Sequence, residues 1–363
     1  MVSLNLFAIV AASVTLAQAI PQALEQDLLG SSRFFDVQGH RGGRGEAIEN
    51  TLPAFAWGLI DGVSTLELDN GLTKDGAVVV WHDEDIPADK CKDTSPVTPG
   101  DSQFPYVGKY IANLTLAQIK TLDCGSQRLS TFPMQLTYPG TKISTLGEVF
   151  DFVRCVDKKR AVKFNIESKV NPVIPGSTRS PEDFVAAQYA AFVKSGYPLS
   201  QITYQSFDWR TLIGMKKRDS RVPTSALIQP LTATADGNGV FPFLAGTDLN
   251  SFPGSSIFTR IAQAAKSIQV ATLSPASGTV PSPGLFSNKE MIDEAHRLGL
   301  TVVPWTVDDL NTAQALVDLG VDGIISDYPL IIRRLAEQVG RSVSAQRSQA
   351  TVLQCLNKHI QRV

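Results

Sequence analysis

The chain has 363 residues, 43% of them hydrophobic, enough to bury one large core and within reach of a single barrel-type domain. Its 33 basic and 35 acidic residues and a pI near 6.1 give no positive field for a polyanion, so no nucleic acid partner is expected. No fixed-period repeat and no long low-complexity tract is present, which removes solenoid and disordered architectures.

At the amino terminus an apolar run from Leu4 to Ala17 leads into Ala17-Gln18-Ala19, a small-x-small pattern of the kind cut after export. Residues 1–19 read as a signal peptide and 20–33 as a connecting segment. The run is at or below the roughly 17–25 residues that a span needs, which favours a secreted, extracellular protein over an anchored one. No second apolar run of spanning length follows, so no stable membrane insertion is expected.

Downstream, short runs rich in Val, Ile and Phe alternate with helical patterns, as in repeated strand-helix units around a parallel sheet. The predicted strands are 34–38, 65–69, 78–82, 161–167, 201–207, 225–229, 267–273, 301–307 and 322–326. Nine strands are one too many for an eight-stranded barrel. Lys74-Asp75-Gly76 resolves the excess, because a turn that short joins antiparallel strands and folds 78–82 back on 65–69. The expected fold is an α/β (β/α)8 barrel over 34–336 with a small insertion, about 84–142, after the strand 2 hairpin. Residues 337–363 read as a weakly helical carboxy-terminal tail of no legible purpose.

The insertion is rich in Pro, Gly, Ser and Thr and follows the hairpin at the active end, as a lid or specificity wall would. An oxidising compartment favours disulfides, and Cys91 pairs best with Cys124 because both lie in this excursion. Cys155 and Cys355 are left paired or free. Asn113-Leu114-Thr115 is a glycosylation sequon at Asn113, and Thr115 is also placed to cap the helix that follows.

Chemistry concentrates between Gly39 and Asp83. Alternate strand residues share a face, so Glu67 and Asp69 point the same way, as do Glu167 and Lys169. All four sit at strand ends, the active end of such barrels, and His40 follows the first strand directly. Three converging carboxylates make an all-oxygen site suited to a divalent cation, Mg²⁺ or Ca²⁺. The hairpin returns His82 to the neighbourhood of Glu67. His296 lies in a helical pattern and reads as a helix-surface residue.

The sequence resembles the glycerophosphodiester phosphodiesterases. The matching residues are His40-Arg41-Gly42, Glu49-Asn50-Thr51, Glu67-Leu68-Asp69, Leu72 to Gly76, His82-Asp83, Asn165 to Lys169, Gln205 to Asp208, Trp305-Thr306-Val307 and Gly320 to Pro329. The resemblance implies that Glu67, Asp69 and Glu167 hold a divalent cation while His40 and His82 act as general acid and base, in an order left open. Arg41 and Lys169 are expected to meet the phosphate, as a fork of donors and as a point charge. Trp305 either stacks on the substrate or only packs at the rim. Glu49 and Asn50 are expected to bond the loop that carries His40. The implied substrate is a glycerophosphodiester, split to an alcohol and sn-glycerol 3-phosphate. The alternatives are a secreted phospholipase D-like or lysophospholipid phosphodiesterase on the same barrel, acting on an intact or lyso phospholipid, and a secreted binding protein that has lost catalysis. Oligomeric state is not legible.

Overall fold

Eight strand-helix units put every strand-to-helix loop at one end of the molecule, and the functional residues follow from that. The computed structural model describes residues 33–281 and 283–363, so the signal-peptide reading and residues 20–32 lie outside the described residues. Residues 34–363 form one unit. Its strands, in chain order, are β1 (Asp36–Gly39), β2 (Thr65–Leu72), β3 (Val78–Val80), β4 (Lys163–Ser168), β5 (Ile202–Ser206), β6 (Thr224–Ile228), β7 (Thr272–Pro275), the small pair β8 (Gly278–Thr279) and β9 (Gly284–Leu285), β10 (Thr301–Val302) and β11 (Gly323–Ser326). The parallel order is β10-β7-β6-β5-β4-β2-β1-β11, with β3 antiparallel to β2 as the hairpin required. Three backbone bonds draw the two ends together: Asp322 N to Val302 O, Ile325 N to Pro304 O and Val307 N to Ile325 O.

The helices that cover the barrel are α1 (Leu52–Asp61), the short α2 (Leu116–Ile119), α3 (Leu146–Val156), α4 (Pro181–Ser195), α5 (Trp209–Arg218), α6 (Ile257–Ser267), α7 (Lys289–Arg297), α8 (Leu310–Asp318), α9 (Pro329–Gln338) and α10 (Gln349–His359). Their starts are chemically marked. Thr51 accepts from Ala54 N, and Thr145 forms a reciprocal capping box with Glu148. His296 sits on α7 and bonds Asp322 Oδ2 at 2.9 Å.

Two strand predictions shift most, by five residues each. The 267–273 run begins its strand only at Thr272, because α6 continues through Ser267 and Gln269, at φ 61, turns the chain. The 301–307 run gives a ladder of two residues, since Pro304 has no N–H to donate. Val303 and Trp305 still donate to Leu273 and Pro275, so the chain stays aligned.

The insertion builds a satellite core from Ile86, Tyr106, Ile111, Leu114, Ile119 and Leu122 against Trp81, pinned by a Cys91–Cys124 disulfide. Asn113 is exposed, and Thr115 caps α2 as read. Cys155 and Cys355 are also joined, across 200 residues of sequence. The tail is therefore no loose appendage. Val352 and Leu356 of α10 enter the main core, and Val363 N reaches Gly140 O.

One contact fixes the start of the site. Gly42 sits at φ +91, and a Cβ on Gly58 of α1 would lie 2.3 Å from Gly42 O, so helix and turn touch backbone to backbone. Gly58→Ala should cost about 1–3 kcal/mol and displace the His40 turn. A thermal melt with a parallel activity assay checks this; an unchanged Tm would remove the constraint.

Candidate active site

Glu67 and Asp69 share one face of β2, which runs on to Leu72 rather than ending at Asp69 as expected, and Glu167 of β4 stands in register beside Asp69. Ligand oxygens from the three buried carboxylates lie within 4.8 Å of one another. Each is aimed by neighbours. Glu67 accepts from Arg41 N at 2.8 Å and from Gln205 Nε2 at 2.7 Å; Gln205 in turn accepts from Asn165, which also bonds Gln38. Asn50 grips Asp69 twice, donating Nδ2 to Oδ2 at 2.8 Å and accepting from the Asp69 N–H at 3.2 Å. Glu167 pairs with Lys169 Nζ at 2.9 Å.

Burial, with Asp69 beside it, pushes Glu67 well above the usual carboxylate range. Burial likewise carries Glu167 to about 8, with Lys169 opposing and Asp69 adding. Burial would raise Asp69 too, but Arg41, His82 and Lys169 outweigh it and hold it well below the ordinary value. Such a cluster is short of positive charge, and its donors are all oxygen. The residues fit a hard divalent cation.

Two histidines open into the same cavity of about 120 Å³, together with Arg41, Arg44, Lys169 and Trp305. His40 Nδ1 meets Asp327 Oδ1 at 2.6 Å, and His82 Nδ1 meets Asp83 Oδ1 at 2.7 Å. A carboxylate on Nδ1 leaves Nε2 as the working nitrogen of each ring. Burial, then Lys169 and Arg41, lower His82 to about 4; burial and Arg41 lower His40 as well. Burial pushes Asp327 upward, but the His40 bond and Arg44 prevail and hold it at about 2. Asp327 is thus an ionised anchor for His40, and Asp327→Asn should cut kcat by about hundredfold or more with little change in KM. Steady-state kinetics decide this, and a rise in KM alone would contradict it.

The loop after β1 is over-determined. Arg41 and Asn50 both hold left-handed backbone, φ 51 and 56, uncommon for residues other than glycine. Arg41 Nη1 bonds Glu49 at 3.0 Å and its Nε lies 3.2 Å from Asp69, so the fork faces carboxylates at both points. Glu49 also receives Lys90 Nζ at 2.7 Å, and Lys90 pairs with Asp83. Asn50 N reaches Arg41 O. Glu49 and Asn50 therefore bond the His40 loop, and Asn50 touches Asp69 directly.

Trp305 lines the cavity, with its indole N–H on Ser274 O and its ring edge-on to Phe207 at 5.3 Å. The insertion supplies none of the cavity's lining residues; it reaches the site through Lys90, and through Gln135, which bonds Arg44 O. Sequence reasoning did not single out Asp327, Arg44, Gln205 or Phe207. Three of them lie in stretches matched above, at Gln205 to Asp208 and Gly320 to Pro329, and their strand-end position was the usable signal.

The chain is similar to known proteins. The model of the glycerophosphoryl diester phosphodiesterase family matches residues 40–331. A glycerophosphodiester phosphodiesterase of Caldanaerobacter subterraneus is 25% identical over 304 residues, 84% of this chain and 98% of its own. A human lysophospholipase D is 23% identical over 297 residues, 81% of this chain and 83% of its own. A solved structure from Silicibacter pomeroyi, of a candidate glycerophosphoryl diester phosphodiesterase, shares 28% identity and superposes with a TM-score of 0.69 over 87% of this chain and 97% of that one. With a (β/α)8 barrel, a carboxylate cluster at its active end and a family match over most of its length, this chain belongs to the glycerophosphoryl diester phosphodiesterase family of phosphoric diester hydrolases.

Proposed function

We propose that the protein hydrolyses glycerophosphodiesters to an alcohol and sn-glycerol 3-phosphate, with a divalent cation on Glu67, Asp69 and Glu167 and with His40 and His82 as acid and base. The observation that carries this reading is the joint placement of three buried carboxylates and two carboxylate-anchored histidines around one small cavity. A cation bound there supplies Lewis-acid charge to phosphoryl oxygens. Lys169 adds a second positive charge at the cavity wall. Both imidazoles are held neutral by burial, so either can accept a proton at Nε2 and return it once protonated. Arg41 keeps Asp69 ionised and, through its backbone N–H, fixes Glu67. Arg41→Ala should therefore lower kcat at least about tenfold and weaken cation binding; unchanged kinetics would remove it from the site.

The signal-like run at residues 4–19 and two disulfides support secretion, and among the described residues no helix is long and apolar enough to cross a membrane. The exposed Asn113 is open to glycosylation. The donor set accommodates Mg²⁺ or Ca²⁺. A second reading, hydrolysis of lysophospholipids, is supported by the human lysophospholipase D among the relatives. Product analysis separates the cases: glycerol 3-phosphate with choline from glycerophosphocholine supports the first reading, release of choline with lysophosphatidic acid from lysophosphatidylcholine supports the second, and release of phosphocholine from either substrate is against both. No turnover of either substrate would sink the enzymatic reading.

A further inference from the structure

The exposed apolar side chains are unevenly placed. Met134, Leu136, Val173, Ile174, Leu231 and Val240 are all exposed, with Met134 at 79% and Leu231 at 73%. Every one lies on a segment that leaves the active end of the barrel. Val173 and Ile174 follow β4, and Leu231 and Val240 follow β6. Met134 and Leu136 lie in the insertion where Leu136 N bonds Glu46 O and Arg44 stacks over Phe132 at 4.7 Å, beside the His40 loop. In the connections that lead from a helix back to a strand, no large apolar side chain is exposed among the described residues. Phe34, ahead of β1, and Val339, after α9, are exposed outside those connections.

Charge and chain stiffness add to the asymmetry. Segments 129–138, 171–178 and 229–235 contain no Asp, Glu, Lys or Arg. Each exposed tip adjoins a proline: Pro133 beside Met134, Pro172 and Pro175 around Val173 and Ile174, Pro230 beside Leu231. Proline restricts the loop before it meets a partner, which lowers the ordering cost. Scattered surface apolar residues, such as Val193 at the end of α4, Phe34 and Val339, need no explanation, but six gathered on loops at one end do.

We propose that this end of the barrel docks on the surface of zwitterionic lipid, a bilayer or micelle of phosphocholine headgroups, with the three uncharged tips inserted at the headgroup boundary. The three tips carry no basic residue to pull on an anionic leaflet and no acidic one to be repelled by it, and the flanking Arg128, Arg179 and Asp236 are of mixed sign. Binding then rests on apolar insertion. The cavity opens at the same end and, at about 120 Å³, is well below the roughly 300 Å³ at which ligand pockets begin. It has room for a headgroup phosphodiester but not for an acyl chain, which stays with the lipid while the phosphodiester enters. The substrate-class half of this inference, a lysophospholipid presented at an interface, rests on the phosphodiesterase reading; the docking half does not.

Co-sedimentation of the purified protein with phosphatidylcholine vesicles tests it, with glycerophosphocholine turnover measured on the same samples. The protein is expected to partition onto the vesicles, with no tightening when phosphatidylglycerol is added. Met134→Ser, Ile174→Ser and Leu231→Ser combined should weaken partitioning at least about tenfold while glycerophosphocholine turnover stays unchanged. Met134→Ser and Leu231→Ser alone, both at open surface, guard against a folding defect and should each give part of the loss. The proposal is overturned by absence of partitioning, by equal partitioning of the triple variant, or by binding that requires anionic lipid. Vesicle binding without hydrolysis of glycerophosphocholine or lysophosphatidylcholine would instead leave the docking surface standing and remove the phosphodiesterase reading.

Discussion

Glu67→Gln and Glu167→Gln are each expected to abolish turnover, by about a thousandfold or more, with Glu167→Gln leaving the protein at least as stable as before. Both side chains are buried, and that burial, with Asp69 beside them, carries both carboxyls far above their ordinary range. At Glu167 an amide matches the protonated shape and removes the charge, so in chelator-treated protein the Tm should hold or rise, whereas an amide at Glu67 would turn its NH2 on Arg41 N or Gln205 Nε2. Activity lost with stability kept is the mark of a side chain retained for chemistry. His40→Ala and His82→Ala should lower kcat by about 10²–10⁴-fold, the usual range for a positioned acid or base. A Glu167→Gln variant that is both active and unstable would contradict the assignment of a cation to that carboxylate.

Removal of the Cys155–Cys355 bridge is expected to give the largest loss of stability. It closes a loop of 200 residues, for which chain-entropy reasoning gives about 5 kcal/mol, against about 4 kcal/mol for the Cys91–Cys124 bridge with its separation of 33. The two losses should also differ in kind. The longer bridge ties α10 to α3, so a Cys155→Ala, Cys355→Ala variant should melt earlier and become protease-sensitive after residue 340, with normal kcat in the folded protein. Cys91 follows Lys90, whose ammonium bonds both Glu49 and Asp83, and these contact Arg41 and His82. Loss of the shorter bridge should thus reduce kcat as well as Tm. Melting curves, protease digestion and kinetics on the two double variants distinguish these outcomes, and identical behaviour would contradict the distinction.

Much of the barrel was legible because its signals are local. Asp75-Gly76 forced a hairpin whichever way the rest folded, and period-two alternation placed Glu67 and Asp69 on one face. The cluster of Glu67, Asp69 and Glu167 followed from strand position together with the family resemblance, although β2 runs on to Leu72. What was not legible depends on contacts between distant segments. Asp327 lies 287 residues from His40, and nothing in either neighbourhood says that they meet. The fork of Arg41 reads as free for phosphate in sequence, whereas in the fold it lies against Glu49 and Asp69. The tail looked idle because Val352 and Leu356 are too few apolar residues to announce a core face, yet Cys355 secures them to α3. The insertion looked like a wall of the cavity; its links to the site are Lys90, Gln135 on Arg44 O, Leu136 N on Glu46 O and Phe132 against the Arg44 guanidinium, which composition does not encode.

Release of glycerol 3-phosphate from glycerophosphocholine, followed before chelation, after chelation, and after stepwise return of Mg²⁺ or Ca²⁺, addresses the combined claim of cation and hydrolysis. Activity should vanish with chelator, return with one of the two cations, and fail to return in Glu67→Gln. Full activity in the chelated protein, or restoration of Glu67→Gln by added cation, would contradict a catalytic cation on Glu67, Asp69 and Glu167.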